Sequence, residues 1–175
     1  MKRVFTLGSV WLLLASLAPF AVLPLVIAQD DKVDVTLEAF IVTTVTEDDG
    51  TVTENFRQAE AARPGDLVEY RVMVKNVSEE TLAAGTVAVT GPVPTGTVFL
   101  AESATPSSSA YRAEFTANAG DTFSEPPVMI MVTNDDGEEE EVMAEPEQYN
   151  AVRWTLLDPL DAGQELMLSY RVEVQ

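Results

Sequence analysis

The side chains with a capacity for chemistry in this sequence are carboxylates, and they gather in two short turns. Glu47-Asp48-Asp49-Gly50 and Asn134-Asp135-Asp136-Gly137-Glu138 each place several oxygen donors within one loop. Hard oxygen ligands at that density suit calcium, so Asp48, Asp49, Asp135 and Asp136 are candidate ligands. Neither segment follows the spacing of an EF-hand loop. Asp-Asp-Gly is also ordinary hairpin chemistry, in which glycine takes positive φ and aspartate bonds its own backbone. The run Glu138 to Glu141 reads as a charged strand edge that discourages edge-to-edge pairing. A carboxylate pair could serve glycoside hydrolysis, but with 29 acidic residues and no spacing rule no pair stands out.

The residues that are missing narrow the chemistry further. There is no cysteine and no histidine. Disulfides, thiol catalysis and thiolate metal sites go with the first. The commonest general base, the usual zinc or haem ligand and every Ser-His pair go with the second. The expectation is a protein that is not an enzyme, with no catalytic residues and no cofactor beyond the calcium candidates. A formal net charge of −19 opposes binding to nucleic acid or anionic lipid.

Residues 1–28 predict a signal peptide. Lys2 and Arg3 form a basic start, an apolar stretch runs from Val10 to Ile27, and Val26-Ile27-Ala28 offers a cleavage site. The stretch approaches the length of a bilayer span, so an uncleaved anchor is the alternative. Pro19 and Pro24 weaken a continuous membrane helix, and the flank after Ala28 is acidic rather than basic. Residues 29–175 then form one domain, exported to the periplasm, cell surface or medium, and large enough for a core without covalent staples.

What must position the turns is a set of strands. Tyr-Arg-Val-x-Val occurs twice, at Tyr70–Val74 and Tyr170–Val174. In the first copy Val68, Tyr70, Val72 and Val74 share one face, with Glu69, Arg71, Met73 and Lys75 on the other. In the second, Leu166, Leu168, Tyr170, Val172 and Val174 oppose Met167, Ser169, Arg171 and Glu173. Such alternation predicts antiparallel strands with one face in a core and one in water. By that parity Tyr70 and Tyr170, with Trp154, are core residues rather than a sugar-binding platform.

Further strands are predicted at residues 34–46, 51–56, 86–90, 97–103, 111–116, 128–132 and 152–156, with one helical turn at 58–62. Many short strands punctuated by Gly, Pro and Asp predict an all-β sandwich, with an extra N-terminal hairpin and an inserted hairpin. Asn76-Val77-Ser78 fits the glycosylation pattern but also a strand end and turn. Lys32 and Lys75 are the only lysines beyond the leader that could form an isopeptide cross-link, and neither lies on an in-facing position.

Pro64-Gly65-Asp66, the strand to Asn76 and the segment Gly91-Pro92-Val93-Pro94-Thr95-Gly96-Thr97-Val98-Phe99 form one half of a pattern. Val152-Arg153-Trp154-Thr155-Leu156, Leu160-Asp161-Ala162-Gly163 and the final strand form the other. Together they resemble the bacterial and archaeal "conserved repeat" domain of unknown function number eleven. The resemblance covers roughly residues 60–105 and 150–175. It implies an immunoglobulin-like β-sandwich of exported and cell-surface proteins, with no catalytic residues to transfer. That family usually has an Asp before its Leu-Pro turn, where this chain has Gly91-Pro92-Val93-Pro94, and it usually recurs in arrays, whereas one copy stands here.

The function these readings imply is a structural or interaction module of the cell envelope, offering loops or sheet edges to a protein or surface partner. The alternative is a filament or pilus-like subunit that donates its N-terminal strand, Val33 to Thr46, to a neighbour. A calcium-dependent binder or small exported hydrolase comes behind both.

Overall fold

The computed structural model describes residues 32–118 and 122–175, so the predicted signal segment and its cleavage site lie outside the described residues. The described chain is all-β. Its strands are β1 (Val33–Thr46), β2 (Val52–Gln58), β3 (Leu67–Asn76), β4 (Ala88–Pro92), β5 (Thr97–Phe99), β6 (Tyr111–Thr116), β7 (Met129–Thr133), β8 (Glu139–Met143), β9 (Ala151–Leu156) and β10 (Glu165–Val174). One short 3-10 turn, Pro146–Gln148, precedes β9.

Every strand pairing is antiparallel. A five-stranded sheet runs β2-β1-β3-β10-β5, a three-stranded sheet runs β4-β9-β6, and β7 and β8 form a ribbon of their own. The two larger sheets bury their apolar faces in one common core, consistent with a β-sandwich. Burial of this face is the main stabilising force, and the alternation in sequence dictates which residues join it. Val68, Val72 and Val74 of β3 and Leu168, Tyr170, Val172 and Val174 of β10 enter from one side. Val89 of β4, Ala113 of β6 and Val152, Trp154 and Leu156 of β9 enter from the other.

The two Tyr-Arg-Val-x-Val copies are neighbours that run in opposite directions and cross at their tyrosines. Tyr70 stands opposite Tyr170, Val68 opposite Val172 and Val72 opposite Leu168. The two rings stack with centroids 5.2 Å apart. Tyr170 is fully buried, and its hydroxyl donates to the carbonyl oxygen of Pro92 across the sandwich. Its ring lies directly over Gly91, so closely that a Cβ there would overlap Cε1. Trp154 is also fully buried and satisfies its indole N–H on the Thr105 carbonyl oxygen at 2.9 Å. Ala113 faces it in the ladder, a small residue beside the largest one.

Several local readings need correction. No helical turn forms at 58–62: Gln58 ends β2, the Ala59 N–H continues the β1–β2 ladder to the Ala39 carbonyl, and Glu60 and Ala61 are bends. The strand expected at 97–103 stops at Phe99. There Ser103 turns back, its hydroxyl bonding the carbonyls of Leu100 and Arg171. The strand expected at 86–90 runs from Ala88 to Pro92. Thr86 instead closes the preceding turn on the Ala83 carbonyl, and Pro92 is accommodated because β4 is an edge strand.

Asn76 ends β3 in the core rather than on the surface. It is fully buried, with its amide donating to the Glu80 and Leu160 carbonyls. Lys75 pairs with Glu165 at 2.6 Å and Lys32 with Glu80 at 2.9 Å, both as ion pairs.

Candidate functional site

The four calcium candidates fall in two separate turns. Asp48 and Asp49 close the β1–β2 hairpin, and Asp135 and Asp136 close β7–β8. Their chemistry is that of turns. Asp49 Oδ1 accepts the Thr51 N–H at 2.9 Å, and this bond holds its carboxyl below the usual carboxylate range. In the second turn the acceptor is Asn134, whose Oδ1 takes the N–H groups of Asp136 and Glu138 at 3.1 and 2.9 Å. Gly50 and Gly137 follow with φ of 85° and 81°, which only glycine adopts without strain. Among the described residues no group of three or more acidic side chains converges on one point.

The charged groups that do converge lie on the outer face of the five-stranded sheet. Sequence parity placed Glu69, Arg71 and Arg171 there, facing water, but Glu69 is buried at 8% exposure. Its carboxylate accepts from Arg71 Nε at 2.8 Å and from Arg171 Nε at 2.9 Å. The Arg171 guanidinium also grips Glu54 with two bonds of 2.7 Å. Glu54 is on β2 and Arg171 on β10, with β1 and β3 between them. Three strand spacings would separate them by about 14 Å in a flat sheet. The β1–β2 hairpin therefore curls over the outer face, and at its root Ile41 and Val42, on alternate faces of β1, are both buried. Phe40 and Phe56 lie against the Arg71 guanidinium at 4.4 and 4.6 Å, completing the cover.

This cluster fastens the hairpin. Glu54 is held below the ordinary carboxylate range chiefly by its bonds to Arg171, and the Arg171 pKa is raised in turn by Glu54. Arg171→Met should cost about 2 kcal/mol, because Glu69 loses one of two cationic partners while nearly buried. Glu54 is more exposed, and water screens its share. A depressed folded pKa stabilises above the unfolded pKa, and that stability is lost as pH falls through the folded one. The gap between wild type and Arg171→Met, measured by urea unfolding, should thus narrow below about pH 4.

Among the described residues, two exposed surfaces each carry more than one large apolar side chain. One is the free edge of β2, whose residues are exposed at six of seven positions, with Val52 62% and Phe56 41% exposed. The other is the outward face of β7–β8, where Met129, Met131 and Met143 stand in the open. A depression of about 40 Å³ lined by Ala39, Ala62, Val68, Tyr70 and Val174 is far smaller than the roughly 300–1,000 Å³ of a small-molecule site. Among the described residues no helix is long and apolar enough to cross a membrane. Scans against family models, curated proteins and solved structures give no match to this chain.

Proposed function

We propose that this chain is an exported, non-enzymatic module of the cell envelope, an immunoglobulin-like sandwich that offers a sheet edge to a protein partner. The observation that carries this reading is the edge strand β2. It pairs on one side only, with β1, and presents seven exposed or half-exposed residues on a hairpin fastened to a rigid sheet. An open edge of this kind recognises an extended segment through main-chain hydrogen bonds, with side-chain contacts adding selectivity. The acidic surface favours solubility and a partner of opposite charge. The immunoglobulin-like assignment rests on the likeness of residues 60–105 and 150–175 to the conserved repeat domain, and the export on Met1 to Ala28.

Donation of β1 to a neighbouring subunit is less well supported. β1 is held by β3 from Val33 to Val42 and by β2 from Phe40 to Thr46, so exchange would break both ladders.

The test is site-specific photo-crosslinking in the native host, with the crosslinker at Thr53 on the β2 edge and at Ser107 as the control. The expected result is a discrete adduct to one other envelope protein from Thr53 alone, on a chain whose N-terminus is Gln29. Equal labelling from both positions would refute edge recognition, and adducts only between copies of this chain would favour the filament reading. An unprocessed cytosolic chain would remove the export.

A further inference from the structure

Methionine is ordinarily a core residue, a flexible filler of irregular gaps. Among the described residues no methionine belongs to the buried core, which is built from Val, Leu, Ala, Phe, Tyr and Trp. The five methionines beyond Met1 fall in two groups on outer strand faces. Met73 and Met167 are opposite partners in the β3–β10 ladder. Met129, Met131 and Met143 lie together on the β7–β8 ribbon, which is independent of the β2 edge.

The register of the ribbon defines the second group. Met129 stands opposite Met143, and Met131 opposite Glu141. Directly opposed side chains have Cβ atoms about 4.5–5.5 Å apart. Met131 lies two residues beyond Met129 on the same strand, hence on the same face and roughly 7 Å along. The other face carries Ile130, Val132 and Val142, of which Ile130 packs against the core. The base is tied down by buried Val128 and Ala144, joined by a backbone bond of 2.8 Å. The methionine face therefore points away from the core, with its three side chains 45, 59 and 57% exposed.

We propose that Met129, Met131 and Met143 form a thioether site for a soft monovalent d10 cation, Cu(I) or Ag(I). Thioether sulfur is a soft donor that selects such ions over calcium, magnesium or zinc, which prefer oxygen or imidazole. Each methionine has three rotatable torsions, so three sulfurs rooted on neighbouring positions of one face can converge above the ribbon. Glu141 and Glu139 share that face and supply the negative field that draws a cation. The chain has no cysteine or histidine, so no other strong soft ligand competes. The ion binds without change of oxidation state.

The test uses the full chain labelled with carbon-13 at the methionine methyls, titrated with silver nitrate in a chloride-free buffer. With one equivalent of Ag(I), the methyl signals of Met129, Met131 and Met143 should shift together while those of Met73 and Met167 stay in place. Met131→Ile, an exposed strand position that isoleucine suits, should weaken binding by at least about tenfold with the fold unchanged by circular dichroism. Millimolar calcium should not compete. Anaerobic competition for Cu(I) against bicinchoninate should give the same order of variants. Absence of any shift at about 100 µM Ag(I) would overturn the proposal. So would parallel shifts of all five methyls, which indicate unspecific thioether binding. Unchanged affinity when all three are replaced by isoleucine would assign the ion to carboxylates and equally end it.

Discussion

Gly91→Ala should destabilise the chain by about 2–3 kcal/mol, a large cost for one added methyl. The reason is the Tyr170 ring, which covers Gly91 so closely that Cζ and Cδ1 would lie 3.0 and 3.1 Å from the new Cβ, with Cε1 nearer still. Tyr170 cannot retreat. It is stacked on Tyr70, packed beside Trp154 with ring centroids 6.1 Å apart, and tied through its hydroxyl to Pro92. Burial also pushes its phenol pKa far above the ordinary value, so the hydroxyl stays a donor throughout the accessible pH range. The effect must belong to the pair. In a Tyr170→Val background the same glycine replacement should cost at least about 1 kcal/mol less. Urea unfolding of the four proteins at unchanged m-value measures this, and an equal cost in both backgrounds would show that the ring is not responsible.

Asn76→Ala should cost about 3 kcal/mol through a different mechanism. The Asn76 side chain has no access to water and makes four bonds at the point where β3 ends. Its Nδ2 donates to the carbonyls of Glu80 and Leu160 at 2.7 and 2.9 Å. Its Oδ1 accepts from the Ser78 N–H at 3.0 Å and from the Ser78 hydroxyl at 2.7 Å. Removing the amide loses all four bonds at once, each worth about 0.5–1.5 kcal/mol, although the Leu160 carbonyl keeps the Leu82 N–H and the Glu80 carbonyl keeps the Ser78 hydroxyl. Asn76→Asp keeps the shape but aims a carboxylate at two carbonyl oxygens. At neutral pH it should be worse than alanine, and it should recover part of the loss in acid as the carboxyl takes up a proton. A melting temperature unchanged in both variants would refute the bonding argument.

How much of this was legible in the sequence depended on the range of the interaction. β3 and β10 are readable because a period of two is local. Val68, Val72, Leu168 and Val172 announce an inward face without reference to any other segment. The turns at Gly50 and Gly137 are readable for the same reason. The burial of Glu69 is not, since it depends on Glu54 meeting Arg171 across 117 positions of sequence and on a hairpin curling back over its own sheet. Nor does Gly91 reveal its role from its neighbours. In Gly91-Pro92-Val93-Pro94 it looks like a turn residue, whereas it lies in β4 beneath an aromatic ring from β10.

The candidate sites divide in the same way. The acidic turns are legible because four aspartates stand in two short loops, and one of them, Asp49, bonds within its turn. The methionine group was within reach of the sequence, through Met129-x-Met131 and its same-face spacing. Only the β7–β8 register brings Met143 opposite Met129 and turns two spaced residues into a triangle.

The crossing of the twin motifs bears on when the chain can fold. Tyr70 and Tyr170 are neighbours in space but a hundred positions apart in sequence. Strand β10, last in chain order among the described strands, is flanked on both sides, by β3 and β5. Until it arrives, β3 lacks one neighbour, β5 lacks a ladder and Gly91 lies beneath no ring. Pairing at such long separation makes closure slower than pairing between neighbouring strands. A chain ending after β9 therefore lacks the strand that joins β3 to β5 and should not complete the five-stranded sheet.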